Sequence, residues 1–191
     1  MSRKRICVRK HHCGNEVRTD LGLLALRLGA GSVLIAHGTQ KLFGWFGGGG
    51  LSQTADAMEQ MGFRPGRNAA LAAGAGEAGS GTLLALGLAT PAAGAAAAGV
   101  MASAVSLHAP AGFFATSGGF EHPGFLGFAA TALGLSGPGR FSLDEVIGHR
   151  LNRPWMLAPA YAAVAAAAGY VISRRMNERR EQSSDAEEPA T

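Results

Sequence analysis

The residues that could do chemistry are ionisable side chains set inside apolar sequence. Glu77 lies near the middle of Asn68–Leu88, a stretch otherwise built from Ala, Gly and Leu. Arg27, His37 and Lys41 lie within Leu21–Phe43, and His108, Glu121 and His122 flank an irregular segment further on. An ionisable group at a bilayer centre costs about 2.5–3.5 kcal/mol on insertion scales, so it is kept where it finds a partner or does work. Glu77 therefore reads either as a buried packing partner or as a proton or ligand site. His37 and Lys41 are four apart and share one helix face. Lys41 sits where it can also snorkel to the interface.

At 1.5 Å per residue, His37 is roughly 9 Å below the helix end at Phe43, and Glu77 roughly 13 Å from Asn68. If these two helices are antiparallel neighbours, both groups occupy the same half of the membrane, within reach of a His37–Glu77 contact that a water could close. Arg27, near the opposite end, either snorkels to cytoplasmic headgroups or reaches inward toward Glu77. His108, Glu121 and His122 fall on the side of His37 and Lys41. Imidazole and carboxylate together suit zinc, copper or iron, but no HxxxH or HExxH spacing occurs, so no metal is expected. Cys7, His11, His12 and Cys13 form a second, loosely spaced group near the N-terminus.

These groups need helices to hold them. Charged residues make up 16% of the chain, where about 25% is usual for soluble domains. They crowd into 1–20 and 140–188. A spanning helix takes about 20 apolar residues. The spans expected are Leu21–Phe43, Asn68–Leu88, Ala92–His108 and the shorter His122–Ser136, with Pro91 opening the third. Leu51, Ala55, Met58 and Met61 recur at helical spacing after Gly44–Gly50, which predicts a short interfacial helix. A fifth apolar segment, Trp155–Ile172, has Trp155, Tyr161 and Tyr170 near its ends as interface anchors. The expected fold is all-α: a transmembrane four-helix bundle with an interfacial helix after the first span and a fifth C-terminal helix whose crossing stays open. The divisions are a basic cytoplasmic tail (1–20), a transmembrane domain (21–144), a linker with the extra apolar helix (145–172) and a charged disordered tail (173–191).

The net charge of +4 could suggest nucleic acid, but the basic residues flank apolar blocks without aromatic interleaving, so nucleic acid is excluded. The Lys and Arg residues before Leu21 place the N-terminus in the cytoplasm, with the first helix as an uncleaved anchor. Four spans keep Arg140, Arg150 and Arg153 on that side, whereas a fifth crossing carries Arg174, Arg175, Arg179 and Arg180 outside, against the positive-inside rule. Gly74-Ala75-Gly76-Glu77-Ala78-Gly79 spells a dinucleotide fingerprint, but no strand precedes it and no acidic residue follows at about 20 positions. Ala72, Gly76 and Ser80 read instead as a small-residue stripe for close helix packing.

The segment Arg27–Gly44, RLGAGSVLIAHGTQKLFG, resembles the DoxX family, which has an early arginine and then His-Gly-x-x-Lys-Leu-Phe before a Gly-rich loop. The likeness continues through Gly50–Gly62, through Glu77 and through His108 with Gly112-Phe113-Phe114. It also takes in Gly118-Gly119-Phe120-Glu121 and the block Gly137–Asp144, so that it runs from about Leu21 to Asp144. Ala111 departs from the polar residue often found there. The resemblance implies a four-helix membrane bundle. It also implies relatives such as a subunit of an archaeal thiosulfate:quinone oxidoreductase and other membrane partners of redox proteins. Three functions compete: a membrane subunit of a thiol-, sulfur- or quinone-linked redox complex, a small transporter or channel-like protein, and a scaffold without chemistry of its own. No cysteine and no haem or flavin motif occurs in the spans, so the cofactor expected under the first is quinone or belongs to an oxidoreductase partner. The setting expected is a bacterial-type plasma membrane, with lipid contacts and self-association compatible with it.

Overall fold

The protein is described here by a computed structural model that covers residues 3–187, with side chains from 16 to 180. Among the described residues seven α-helices follow one another: α1 Arg3–Phe43, α2 Gly50–Gln60, α3 Gly66–Leu86, α4 Thr90–His108, α5 Glu121–Ser136, α6 Leu143–Val146 and α7 Leu157–Glu187. Among the described residues there is no strand. The GxGxxG run lies inside α3, as its helix-forming neighbours require.

Among the described residues, three helices are long and apolar enough to cross a membrane by length and composition: Glu16–Phe43, Thr90–Ala111 and Pro154–Arg180. α3 and α5 join them. A Cβ built on Gly31 would meet Gly81, and one on Gly38 would overlap Gly74 and Ala78, so α3 runs antiparallel to α1. In the same way Gly94 faces Gly134, and Met101 faces Gly127, so α5 runs antiparallel to α4. Each return helix thus runs back along the apolar helix beside it. The molecule is an all-α membrane bundle.

Helix ends follow local chemistry. Gly87 adopts the left-handed conformation (φ 63°) and stops α3 two residues before the expected Leu88. Pro91 occupies the first turn of α4. Ser142 caps α6, accepting from the Glu145 backbone N–H at 3.2 Å. The apolar face of α2 packs Met58, with Leu51, Ala55 and Met61, against Phe63 and Ala70, which ties the expected interfacial helix to α3. The central core gathers Leu34, Leu84, Ala97, Met101, Leu126 and Leu133 from α1, α3, α4 and α5.

Three expectations need correction. The N-terminal tail is not separate from the first span, because α1 continues back to Arg3; that stretch holds no proline, and Arg, Lys and Glu are good helix formers. The segment from 173 is not disordered up to Glu187, since its Arg, Met and Glu residues extend α7. The small-residue stripe also lies elsewhere. α1 makes its close approach over Gly74, Ala78 and Gly81, whereas Gly76 faces Val100 on α4 and Ala72 is exposed. Any Cβ at Gly38 would strike α3 backbone, so the deciding small residue is on α1 itself.

The open question over the fifth segment is settled within the bundle. Tyr161 donates to the Thr131 carbonyl (3.2 Å) at the α5 end, Val164 packs on Gly99, and Arg175 reaches the α2 end. α7 therefore runs parallel to α4 from Tyr161 to Arg175.

Candidate functional site

The end of the bundle where α1 finishes gathers most of the ionisable groups. Lys41, in the last turn of α1, and Glu77, midway along α3, form an ion pair with Nζ and Oε2 2.6 Å apart. Glu77 is buried, whereas 26% of the Lys41 side chain remains exposed. Their meeting follows from the α1–α3 contact: Gly38 lets the two backbones touch one turn before Lys41, so a long lysine reaches Glu77 across a short gap. The partner of Glu77 is thus Lys41 and not His37.

The pair stands in the wall of a cavity of about 950 Å³ between α2, α3, α4 and α7. The lining is mostly apolar, with Met58, Phe63, Ala73, Val100, Leu107 and Val164. Arg175 sits at its end, donating Nε to the Met61 carbonyl (3.0 Å) and Nη1 to the Ser106 carbonyl (2.9 Å), with its guanidinium 5.3 Å from the centre of the Phe63 ring. Arg174 nearby is 3.5 Å from Glu178. Nothing in the sequence marks Arg175, because an arginine past an apolar run normally reads as a solvated helix end.

His37 turns from Glu77 to His122 at the start of α5, with the two Nε2 atoms 3.2 Å apart. His108 and Glu121 serve the loop between α4 and α5. His108 Nδ1 lies 2.7 Å from the Gly118 carbonyl, and a Glu121 carboxylate oxygen accepts from the Ala115 N–H at 3.0 Å. Among the described residues, no group of three or more His, Cys, Asp or Glu side chains is placed to hold a metal ion. Cys7, His11, His12 and Cys13 lie outside the residues whose side chains are described.

Arg27 does neither of the two things expected of it. It is fully buried at the other end of the bundle from Glu77, and Nη2 donates to the Phe141 carbonyl. Asp144, also fully buried, acts on it through its charge without forming an ion pair, and Arg27 Nε and Nη1 are buried with no hydrogen-bond partner among the described residues. Asp144 accepts from the N–H groups of Ala89 (3.0 Å) and Thr90 (3.1 Å) and from the Thr90 hydroxyl (2.9 Å). A carboxylate on the first amides of α4 also opposes that helix's dipole favourably. Gly87 makes room for the arginine, since a Cβ there would overlap Nη1. Asp144 was visible only as part of Ser142-Leu143-Asp144-Glu145, which spells a helix-starting S-x-x-E.

Residues 22–110 match the family model described as DoxX. Through this segment the chain is similar to the DoxX family. The match holds Arg27, His37, Lys41, Glu77 and His108 and stops short of α5, α6 and α7. The helix pair α1–α3 and α4 thus form the DoxX-like part, while His122, Asp144 and Arg175 come from beyond the matched residues. No curated protein matches the chain. No solved structure matches it either.

Proposed function

We propose that this DoxX-like protein is a membrane subunit or partner of a redox complex linked to thiol, sulfur or quinone chemistry. In this reading the cavity beside Lys41 and Glu77 receives the head of a quinone. The observation that carries it is one ion pair, with its carboxylate buried, in the wall of an otherwise apolar cavity. A cavity of about 950 Å³ is at the upper end of the roughly 300–1,000 Å³ of small-molecule sites, which combine apolar lining with a few placed polar groups. A quinone, when bound, supplies the two-electron carrier, and the electrons come from the partner oxidoreductase.

The residues fit that role. Lys41 carries three N–H donors and gives one to Glu77, so it can hold a carbonyl oxygen while staying paired. Glu77 fixes the lysine head and offers a carboxylate that can take up or release a proton beside it. The apolar lining keeps water from Glu77, while Lys41 stays partly exposed. Arg175 fastens α7 as the cavity's far wall. The orientation follows the basic residues before Leu21, which favour a cytoplasmic N-terminus in a bacterial-type plasma membrane. Arg175, buried and bonded to two carbonyls, is not a free charge opposing that arrangement.

The test is binding of a short-tailed quinone to the full chain in detergent, followed by Trp fluorescence, for wild type, Lys41→Met and Glu77→Gln. The expected result is saturable binding that weakens about tenfold in Lys41→Met, as loss of a hydrogen bond from a charged donor implies. Equal binding by all three proteins, or none by wild type, overturns the quinone reading. Affinity capture of the full chain from its own membranes, without any oxidoreductase co-purifying, overturns the complex-subunit reading.

A further inference from the structure

The cavity beside Lys41 and Glu77 is open along one side. α7 packs on α4, while α3 packs on α1, α2 and α4. α4 is therefore its floor, α3 and α7 are its walls, and the α2 end stands at its mouth. At the inner end Gly76 of α3 meets Val100, and Val164 of α7 meets Gly99. Ala72 on α3 and Ala167 and Val171 on α7 line the cavity and are nevertheless exposed. The space is thus a cleft that opens sideways between α3 and α7, on the flank of an apolar bundle. From Val164 to Arg175, α7 rises about 16 Å at 1.5 Å per residue. That is about half of the roughly 30 Å hydrocarbon core, the depth of one leaflet.

The mouth is cationic. Arg64, Arg174 and Arg175 line it, together with Glu178. The Arg64 side chain is exposed and has no bonding partner among the described residues. Arg175 is only 6% exposed, yet its partners are neutral: the carbonyls of Met61 and Ser106 and the Ser106 hydroxyl at 3.4 Å. Glu178 is paired with Arg174 at 3.5 Å, not with Arg175. Arg179, one turn further on, adds like charge beside Arg175. Glu59, on α2, is occupied by the Gly66 N–H at 3.0 Å. Three guanidiniums thus share the mouth with one carboxylate, and a buried charge without a counter-charge is costly.

We propose that the cleft holds an acyl chain of an anionic phospholipid from the adjoining leaflet, with the headgroup phosphate at Arg64, Arg174 and Arg175. Guanidinium forks match phosphate oxygens, and the phosphate supplies the counter-charge that Arg175 lacks. A zwitterionic lipid offers the same phosphate but brings its own cation, so a net positive mouth discriminates against it. A free phosphate ion would leave the apolar cleft unfilled. Tyr170, 62% exposed at the cleft, is placed as residues of the headgroup region are. The proposal does not rest on the quinone reading, because its head group is held by the arginines and not by Lys41 and Glu77. Lipid chain and quinone approach the same inner end, so each excludes the other there.

The test is native mass spectrometry of the full chain in detergent, offered phosphatidylglycerol and phosphatidylcholine with identical acyl chains. One phosphatidylglycerol per chain should be retained in preference to phosphatidylcholine, and excess inorganic phosphate should not displace it. Arg64→Gln and Arg174→Gln, both at exposed positions, should each weaken retention about fivefold, as one basic residue at an anionic lipid surface implies. Arg67→Gln, exposed at the same end but outside the cleft, should leave retention unchanged. Ala167→Phe fills the cleft from an exposed position with every arginine in place, and should abolish retention. Equal retention of the two lipids, or equal weakening by Arg67→Gln and Arg64→Gln, would reduce the mouth to general surface charge and overturn the proposal. Full retention in Ala167→Phe, or displacement of the lipid by inorganic phosphate, overturns it as well, because the cleft would then hold no chain.

Discussion

At one end of the bundle Arg27 and Asp144 are both fully buried, while at the other Lys41 keeps 26% of its side chain exposed beside a buried Glu77. Both ends hold opposite charges contributed by different helices. The first is sealed: Asp144 has three donors, Arg27 has the Phe141 carbonyl, and together they tie α1, the α3–α4 turn and the α6 segment. The second borders a cavity and reaches water through Lys41. Charges sealed in this way, though not in ion-pair contact, cannot be resolvated when one is lost. An open pair can resolvate the survivor. The same chemistry is thus a fastening at one end and a usable site at the other, and the surroundings decide which.

The sharpest way to break the comparison is Asp144→Ala. It leaves a buried guanidinium without its counter-charge and strips the first amides of α4, so about 3–5 kcal/mol of stability should disappear. Unfolding of the purified protein in detergent, scored against wild type, measures it. A loss as small as that of Glu77→Gln would erase the distinction between the two ends. Arg175→Ala comes next. It frees two carbonyls and unfastens α7 from the α2 end, for about 1.5–3 kcal/mol. Limited proteolysis should then cut α7 while sparing 22–110. Cleavage spread evenly along the chain would show that Arg175 does not hold α7 in place. Gly38→Ala should follow at about 1–3 kcal/mol, because the new methyl meets α3 backbone that cannot step aside. The same unfolding measurement reads it, and a neutral result would mean that the α1–α3 contact is looser than its geometry.

How much of this could be read in the sequence depended on range. Helices declared themselves through length, apolar run and end chemistry, so α3, α4 and α5 begin and end within two residues of expectation. Glu77, His37 and Lys41 stood out because charge inside apolar sequence is costly, and antiparallel packing brought two of the three together. The partners did not stand out. Lys41 and His37 both lay within reach of Glu77, and only the closeness allowed by Gly38 chose the lysine. Asp144 and Arg175 were hidden because both sit in polar sequence, where an acid or an arginine ordinarily faces water. Their burial comes from segments 54 and 69 positions away, which no local pattern encodes.

The smallest structural effect belongs to Glu77→Gln, and it bears most on function. The amide keeps the shape of the side chain and can still accept from Lys41, so the pair loses charge but not contact. Lys41 is partly exposed, so water takes up what the carboxylate gave, and stability should change by less than about 1 kcal/mol, as at partly solvated ion pairs. Membrane level and unfolding should therefore match wild type, whereas any activity that needs a proton-exchanging group beside the cavity should fall. Resistance of cells to thiol stress, compared between wild type and Glu77→Gln at equal membrane abundance, separates the two. Normal abundance with lost resistance supports a working site at the open end. Failure to accumulate would make Glu77 a fastening like Asp144, and the contrast between the ends would reduce to a difference in exposure. Normal abundance with full resistance would remove the carboxylate from the function altogether, leaving the cavity's shape as the feature to explain.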